Sequence, residues 1–187
     1  MLPENTTSIE KLITVMSKVS DYAQFIKLRL ASLVVLSAAI GFVIGSHAFG
    51  THEVNWTNMV LLIIGGFLVT CSSNGFNQII EKDLDKLMDR TQNRPLPQER
   101  MSVNEAFVLA AVMGIAGIII LWMFLNPLSG ILGTLALILY TLVYTPLKRF
   151  TPFAVFVGAF PGAIPPLLGV VAATEGFGNI PLQAWIL

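Results

Sequence analysis

Five stretches of this chain run without a single Lys, Arg, Asp or Glu: residues 31–49, 59–80, 106–125, 128–144 and 153–174. A helix needs about 20 mainly apolar residues to cross the hydrocarbon core of a bilayer, and these runs match that length. The fourth is the shortest, and only Asn126 and Pro127 separate it from the third, which implies a tight hairpin. Continuous apolar runs exclude a β-barrel, whose strands alternate apolar and polar residues. The expected fold is therefore all-α, a polytopic transmembrane helix bundle. A sixth run begins at Pro181 ("PLQAWIL") and residues 1–187 read as one membrane domain. Composition agrees: 12% of residues are charged, against about a quarter in an ordinary soluble domain.

The cations sort to one side. Lys11, Lys18, Lys27 and Arg29 precede the first run; Lys82, Lys86, Arg90, Arg94 and Arg100 follow the second; Lys148 and Arg149 follow the fourth. These are all 11 Lys and Arg residues of the chain. The opposite ends carry only His47, His52, Glu53 and Glu175. Cytoplasmic loops concentrate Lys and Arg, so the N-terminus and both charged loops are expected on the cytoplasmic side of the cell's inner membrane. Residues 1–27 lack the compact apolar core of a signal peptide. Ile9, Leu12, Ile13, Met16 and Val19 recur at helical spacing, which predicts an amphipathic interfacial helix.

Other features are less specific. Zero net charge gives no reason to expect a nucleic-acid partner. The lone Cys71 sits in an apolar run and reads as a packing residue. Gly65, Gly66, Gly114, Gly117, Gly130, Gly133, Gly158 and Gly162 suit close helix approach. Pro161, Pro165 and Pro166 predict a kink or break in the fifth span, either lining a cavity or simply packing.

The stretch "NGFNQIIEKDLDKLMDRTQNRPLP", residues 74–97, carries the chemistry. Residues four apart stack on one helix face. Asn77, Glu81, Asp85 and Asp89 would therefore form a column if the second span continues past the membrane, with Asn74 one turn earlier. Carboxylates beside an amide oxygen suit Mg²⁺, which takes one or two carboxylates plus phosphate oxygens. Arg90 and Arg94 offer bidentate forks for the same phosphates. Pro95 and Pro97 stiffen the chain just after Arg94. The plainer reading is a solvated loop of weak surface pairs, but the shared register with asparagines inside the span argues against it. Lys27, Arg29, Lys148 and Arg149 are either positive-inside anchors or a cationic ring around an anionic head group. In the second case an apolar tail would descend past Phe42, Phe67 and Phe76, and the substrate would be an amphiphilic diphosphate.

These motifs resemble the UbiA-type intramembrane prenyltransferases, and within them the heme O synthase (protoheme IX farnesyltransferase) branch. The resemblance is carried by Asn77, Glu81, Asp85, Met88, Arg90, Thr91, Arg94, Pro95, Leu96 and Pro97, by "YTPLKR" and "PGAIPPLLG", and by Lys27 and Arg29 before the first span. Leu28 stands where many members have proline. The resemblance implies a nine-helix bundle with two acidic motifs, each anchoring Mg²⁺ to a diphosphate. Only the first is present, so the chain is expected to be a truncated N-terminal part, inactive alone. It further implies Mg²⁺-dependent transfer of farnesyl from farnesyl diphosphate to a vinyl group of heme b, a substrate, giving heme O. Asn77, Glu81 and Asp85 would hold the metal. Arg29, Arg90, Arg94, Lys148, Arg149 and Tyr144 would bind the diphosphate. Neither histidine is nominated as a heme ligand, both lying at the far end from the acids. The rivals are a prenyltransferase with an aromatic acceptor, a transporter, and a structural assembly subunit. A transporter would place ionisable groups at mid-membrane, whereas every acid here lies at or beyond a span end.

Overall fold

The computed structural model describes residues 4–49 and 53–174, with side chains for 14–48 and 53–174. Six helices order the chain: α1 Glu4–Phe25, α2 Leu28–Phe49, α3 Trp56–Asp85, α4 Val103–Ile120, α5 Pro127–Ile138 and α6 Ala154–Ala173. A π-helical turn, Leu121–Leu125, extends α4; a second, Leu139–Tyr144, extends α5 into a last turn at Thr145–Leu147. Five of these helices, α2 to α6 with their extensions, are long and apolar enough to cross a membrane. The five expected spans are thus all present. The sixth run, from Pro181, and the side chains of Ile9, Leu12 and Ile13 lie outside the described residues.

Local sequence sets the helix ends. Asn55 accepts a hydrogen bond from the Asn58 N–H at 3.1 Å and caps α3. Ser102 caps α4 in the same way from Glu105, within a Ser-x-x-Glu box. Asn126 caps α5 from Ser129 at 2.8 Å, with Pro127 in the first turn, where its missing N–H is harmless. Asn126 also donates to the Val171 carbonyl at 3.2 Å, tying the hairpin to α6. Despite Pro161, Pro165 and Pro166, α6 runs unbroken.

Helices approach through glycine. α2 crosses α6 so closely that a Cβ at Gly169 would collide with the Ala38 carbonyl, and one at Gly41 with the Pro166 carbonyl. A Cβ at Gly117 on α4 would lie 2.8 Å from the Gly65 carbonyl of α3. Backbones this near gain dispersion contacts that stand in for the hydrophobic drive missing in lipid. Phe42, Leu62, Val69, Leu121, Leu168 and Val171 fill the centre. The outward side of α4 presents Val108, Val112, Ile115 and Ile119. In water that patch would be a liability; in a bilayer it is the lipid-facing side.

Thirty residues make α3 about 45 Å long, well beyond a hydrocarbon core of about 30 Å. Its last turns, from Glu81, carry the charged residues beyond the apolar run. Beyond them, residues 86–101 fold into turns rather than a solvated loop. Leu96 is fully buried with Phe25, Met101, Ala106 and Ala110. Pro95 is buried too, and its carbonyl accepts from the Arg100 and Met101 N–H groups. α1 docks on this segment: Arg100 Nε donates to Asp21 at 2.8 Å, Lys18 Nζ to the Arg100 carbonyl at 2.9 Å, and Tyr22 to Glu105 at 2.6 Å. Val15, Met16 and Val19 of α1 stay exposed while Asp21 is buried.

Candidate active site

The three cation-bearing segments meet at one end of the bundle, around the end of α3. Asn77, Glu81 and Asp85 share one face there, as their spacing predicts. Each is met by a cation from another element. Lys27 Nζ donates to Asn77 Oδ1 at 3.0 Å. Lys148 Nζ lies 2.9 Å from the Glu81 carboxylate. Arg94 Nη1 donates to Asp85 Oδ2 at 2.6 Å. Asn77 also donates through Nδ2 to Glu81 and to the Thr145 hydroxyl, both at 3.1 Å. Asn77 and Asp85 are buried, so this is an inward-facing network.

Electrostatics concentrate on Lys27. Burial pushes its ammonium from the usual 10.5 down to about 8, helped by the like charges of Arg94 and Lys148 and opposed by Glu81 and Asp85. Its backbone is unusual as well, with φ at 52° in the left-handed region. The elbow between α1 and α2 that produces this geometry is held by α3. Asn74 Nδ2 donates to the Ile26 carbonyl at 3.0 Å, and Gln78 Nε2 to the Phe25 carbonyl at 2.6 Å. Asn74 is thus a clamp on the elbow, not a further rung of the oxygen column.

The other expected residues divide. Arg149 donates to the Ile80 carbonyl at 2.6 Å, at the edge of the cluster. The Tyr144 ring lies under Lys148, 5.4 Å from Nζ to the ring centre. Arg29 and Arg90 are exposed and are not drawn into the network. Asp89 is also exposed, because α3 ends at Asp85 and the chain turns at Lys86. The Thr91 hydroxyl donates to the Asp85 carbonyl at 3.2 Å, satisfying an acceptor that the helix end leaves open. Lys27, read from the sequence as an anchor or a member of a cationic ring, belongs to the cluster, and so does Thr145, which was given no role. The K-x-R pattern was a signal for Lys27; Thr145 lies within the quoted "YTPLKR" motif, but nothing there marked its side chain as a partner of Asn77.

Beneath the cluster, a cavity of about 220 Å³ opens between α2, α3, α5 and α6. Leu30, Val34, Val69, Tyr140, Pro161 and Pro165 line it, with Asn74 and Ser73 toward the polar end. Gly158, Pro161, Gly162 and Pro165 of α6 therefore do face a cavity, while Pro166 and Gly169 pack on α2. The expected aromatic path does not. Phe42 is buried at the α2–α6 crossing, Phe76 packs edge-on against Phe107 of α4, and Phe67 is absent from the lining.

Among the described residues no three His, Cys, Asp or Glu side chains gather to enclose a metal ion. A cation here would draw on Glu81, Asp85, the Asn77 oxygen and oxygens of a ligand. That hard, incomplete oxygen set fits Mg²⁺ carrying a phosphate.

Residues 31–187 match the UbiA prenyltransferase family. The chain belongs to it. As a UbiA protein with five apolar spans, it is an integral multi-pass membrane protein. It is 48% identical over 172 residues to a protoheme IX farnesyltransferase of Flavobacterium psychrophilum, covering 92% of this chain and 56% of that protein. It is 38% identical to the human mitochondrial protoheme IX farnesyltransferase, over 88% of this chain and 35% of that one. The chain thus spans about half the length, or less, of the curated relatives it matches. The fold is similar to part of that of a digeranylgeranylglyceryl phosphate synthase (TM-score 0.76, 23% identity, 85% of this chain and 55% of the other). It also matches a UbiA homolog of Archaeoglobus fulgidus bound to DMAPP and Mg²⁺ (TM-score 0.71, 18% identity, 89% and 58%).

Proposed function

We propose that this chain contributes half of the active site of a protoheme IX farnesyltransferase, which moves farnesyl from its diphosphate to a vinyl group of heme b and yields heme O. The observation that carries this is the 48% identity to such an enzyme over nearly the whole chain, joined to a cation-and-carboxylate cluster above an apolar cavity. The cluster is proposed to lie on the cytoplasmic side of the inner membrane, because all 11 Lys and Arg residues fall in the segments on its side of the spans.

Asn77, Glu81 and Asp85 would hold Mg²⁺, which when bound supplies positive charge to the diphosphate oxygens. Lys27, Arg94 and Lys148 turn from their carboxylate and amide partners to the same oxygens, with Arg149, Arg29 and Arg90 closing in from the rim and Tyr144 donating a hydrogen bond. These preorganised charges stabilise the leaving group as its carbon–oxygen bond breaks and the bonding pair departs with diphosphate. The allylic cation left behind sits at the mouth of the apolar cavity, where scarce water protects it from quenching. The vinyl carbon of heme b attacks, forming the new carbon–carbon bond. Water then adds to the resulting cation and releases a proton.

The test is product analysis with the full-length protein, farnesyl diphosphate, heme b and Mg²⁺. Heme O supports the proposal. Prenylation of hydroxybenzoate or a naphthoate in its place would reassign the acceptor.

A further inference from the structure

The Asn77 side chain has two orientations available, and only one puts its carbonyl oxygen where a cation or cationic group can use it. Three neighbours select that orientation. Lys27 can only donate, and it holds Oδ1 at 3.0 Å. Glu81 can only accept when ionised, and it takes one Nδ2 proton at 3.1 Å. Lys27 and Glu81, however, are both groups that change partners when a magnesium diphosphate arrives. The third neighbour is different. Thr145 is fully buried, and its hydroxyl bonds Asn77 and the Tyr140 carbonyl rather than a carboxylate.

The π-helical turn Leu139–Tyr144 makes Thr145 an obligate acceptor toward Asn77. That turn brings the Thr145 N–H and its hydroxyl onto one carbonyl, that of Tyr140, the hydroxyl at 2.8 Å. Its only O–H proton is committed there, so Thr145 Oγ1 can only accept from Asn77 Nδ2. Single π turns of this kind are frequent at functional sites.

We infer that Thr145 is a positioning residue that locks the Asn77 amide with its oxygen toward the metal side, and that the π turn in α5 exists to commit its proton. This role presupposes the magnesium diphosphate site proposed above. Contacts of this outer kind change metal affinity by about 10- to 100-fold when removed.

The experiment titrates full-length protein in nanodiscs with farnesyl diphosphate, with and without Mg²⁺. In the wild type, Mg²⁺ should tighten binding. Thr145→Val should lose about tenfold of the magnesium enhancement, and Thr145→Ser should restore it. In an Asn77→Asp background, which has no amide to turn over, Thr145→Val should remove nothing further. Thr145→Ala repeats the measurement should the valine variant fail to accumulate. A full magnesium enhancement in the Val or Ala variant overturns this role alone. So does an equal loss with and without metal, or an additive loss beside Asn77→Asp, since either marks general structural damage. A wild type whose binding ignores Mg²⁺ removes the proposed metal site and this role together.

Discussion

Asp85→Asn separates charge from shape at the centre of the cluster. Asp85 is 3% exposed and its Oδ2 receives Arg94 at 2.6 Å. Asparagine keeps an acceptor oxygen there but loses the charge. A hydrogen bond to a charged group is worth about 1.5–3 kcal/mol and a neutral one about 1 kcal/mol, so the fold should lose only about 1–2 kcal/mol. The end of α3 should hold, because Thr91 bonds the backbone carbonyl of Asp85, which asparagine retains. Turnover should suffer far more. Removing one preorganised group that meets developing charge costs about 10²–10³ in rate, or about 3–4 kcal/mol. The assay is heme O formation by full-length protein in nanodiscs at saturating Mg²⁺, with a thermal unfolding curve for each variant. Asp89→Asn is the matched control, since Asp89 is exposed beyond the helix end. Turnover of Asp85→Asn within about threefold of wild type would refute the reasoning. Equal damage from Asp89→Asn would refute it too.

Three further outcomes rest on the packing, the clamp and the arginine fork. Gly169→Val drives a side chain into the Ala38 carbonyl and to within 2.6 Å of the Phe42 nitrogen, so stability should fall by about 3 kcal/mol. Its control, Gly66→Ala, meets nothing within 4 Å and should leave the melting temperature unchanged. Gln78→Leu strips the Phe25 carbonyl of its donor, about 1–3 kcal/mol for the acceptor left bare, while the Gln24 carbonyl keeps the Lys27 N–H. It should raise the KM for farnesyl diphosphate by loosening Lys27, and an unchanged KM would separate the elbow from the site. Arg94→Lys replaces a fork with a point charge and should weaken farnesyl diphosphate binding about tenfold by calorimetry; unaltered affinity would remove Arg94 from the phosphate site.

Much of the architecture is legible because lipid leaves few options. A run that must satisfy its own backbone groups becomes a helix, and the five runs did. The Asn77–Glu81–Asp85 face follows from a four-residue spacing that α3 preserves to its end. The same arithmetic failed at Asp89. Register says nothing of where a helix stops, and here the chain turns at Lys86 and the Thr91 hydroxyl takes the open Asp85 carbonyl. Lys27 and Thr145 lie in recognisable motifs, but their contacts with Asn77 depend on features without a local signature: a lysine at positive φ, clamped from another helix, and a π turn just before a threonine. The aromatic path failed for a similar reason. Helical spacing places Phe42 and Phe76 on faces, but only tertiary packing decides that those faces meet α6 and α4 rather than the cavity.

The most direct test is a structure of the full-length protein in lipid with a non-hydrolysable farnesyl diphosphate analogue and Mn²⁺ in place of Mg²⁺. Metal density about 2 Å from Glu81 and Asp85 oxygens, with the diphosphate against Lys27, Arg94 and Lys148 and the prenyl chain beside Tyr140 and Pro161, is the predicted result. A diphosphate bound elsewhere, with Arg94 still on Asp85 and Lys148 still on Glu81, would contradict the account.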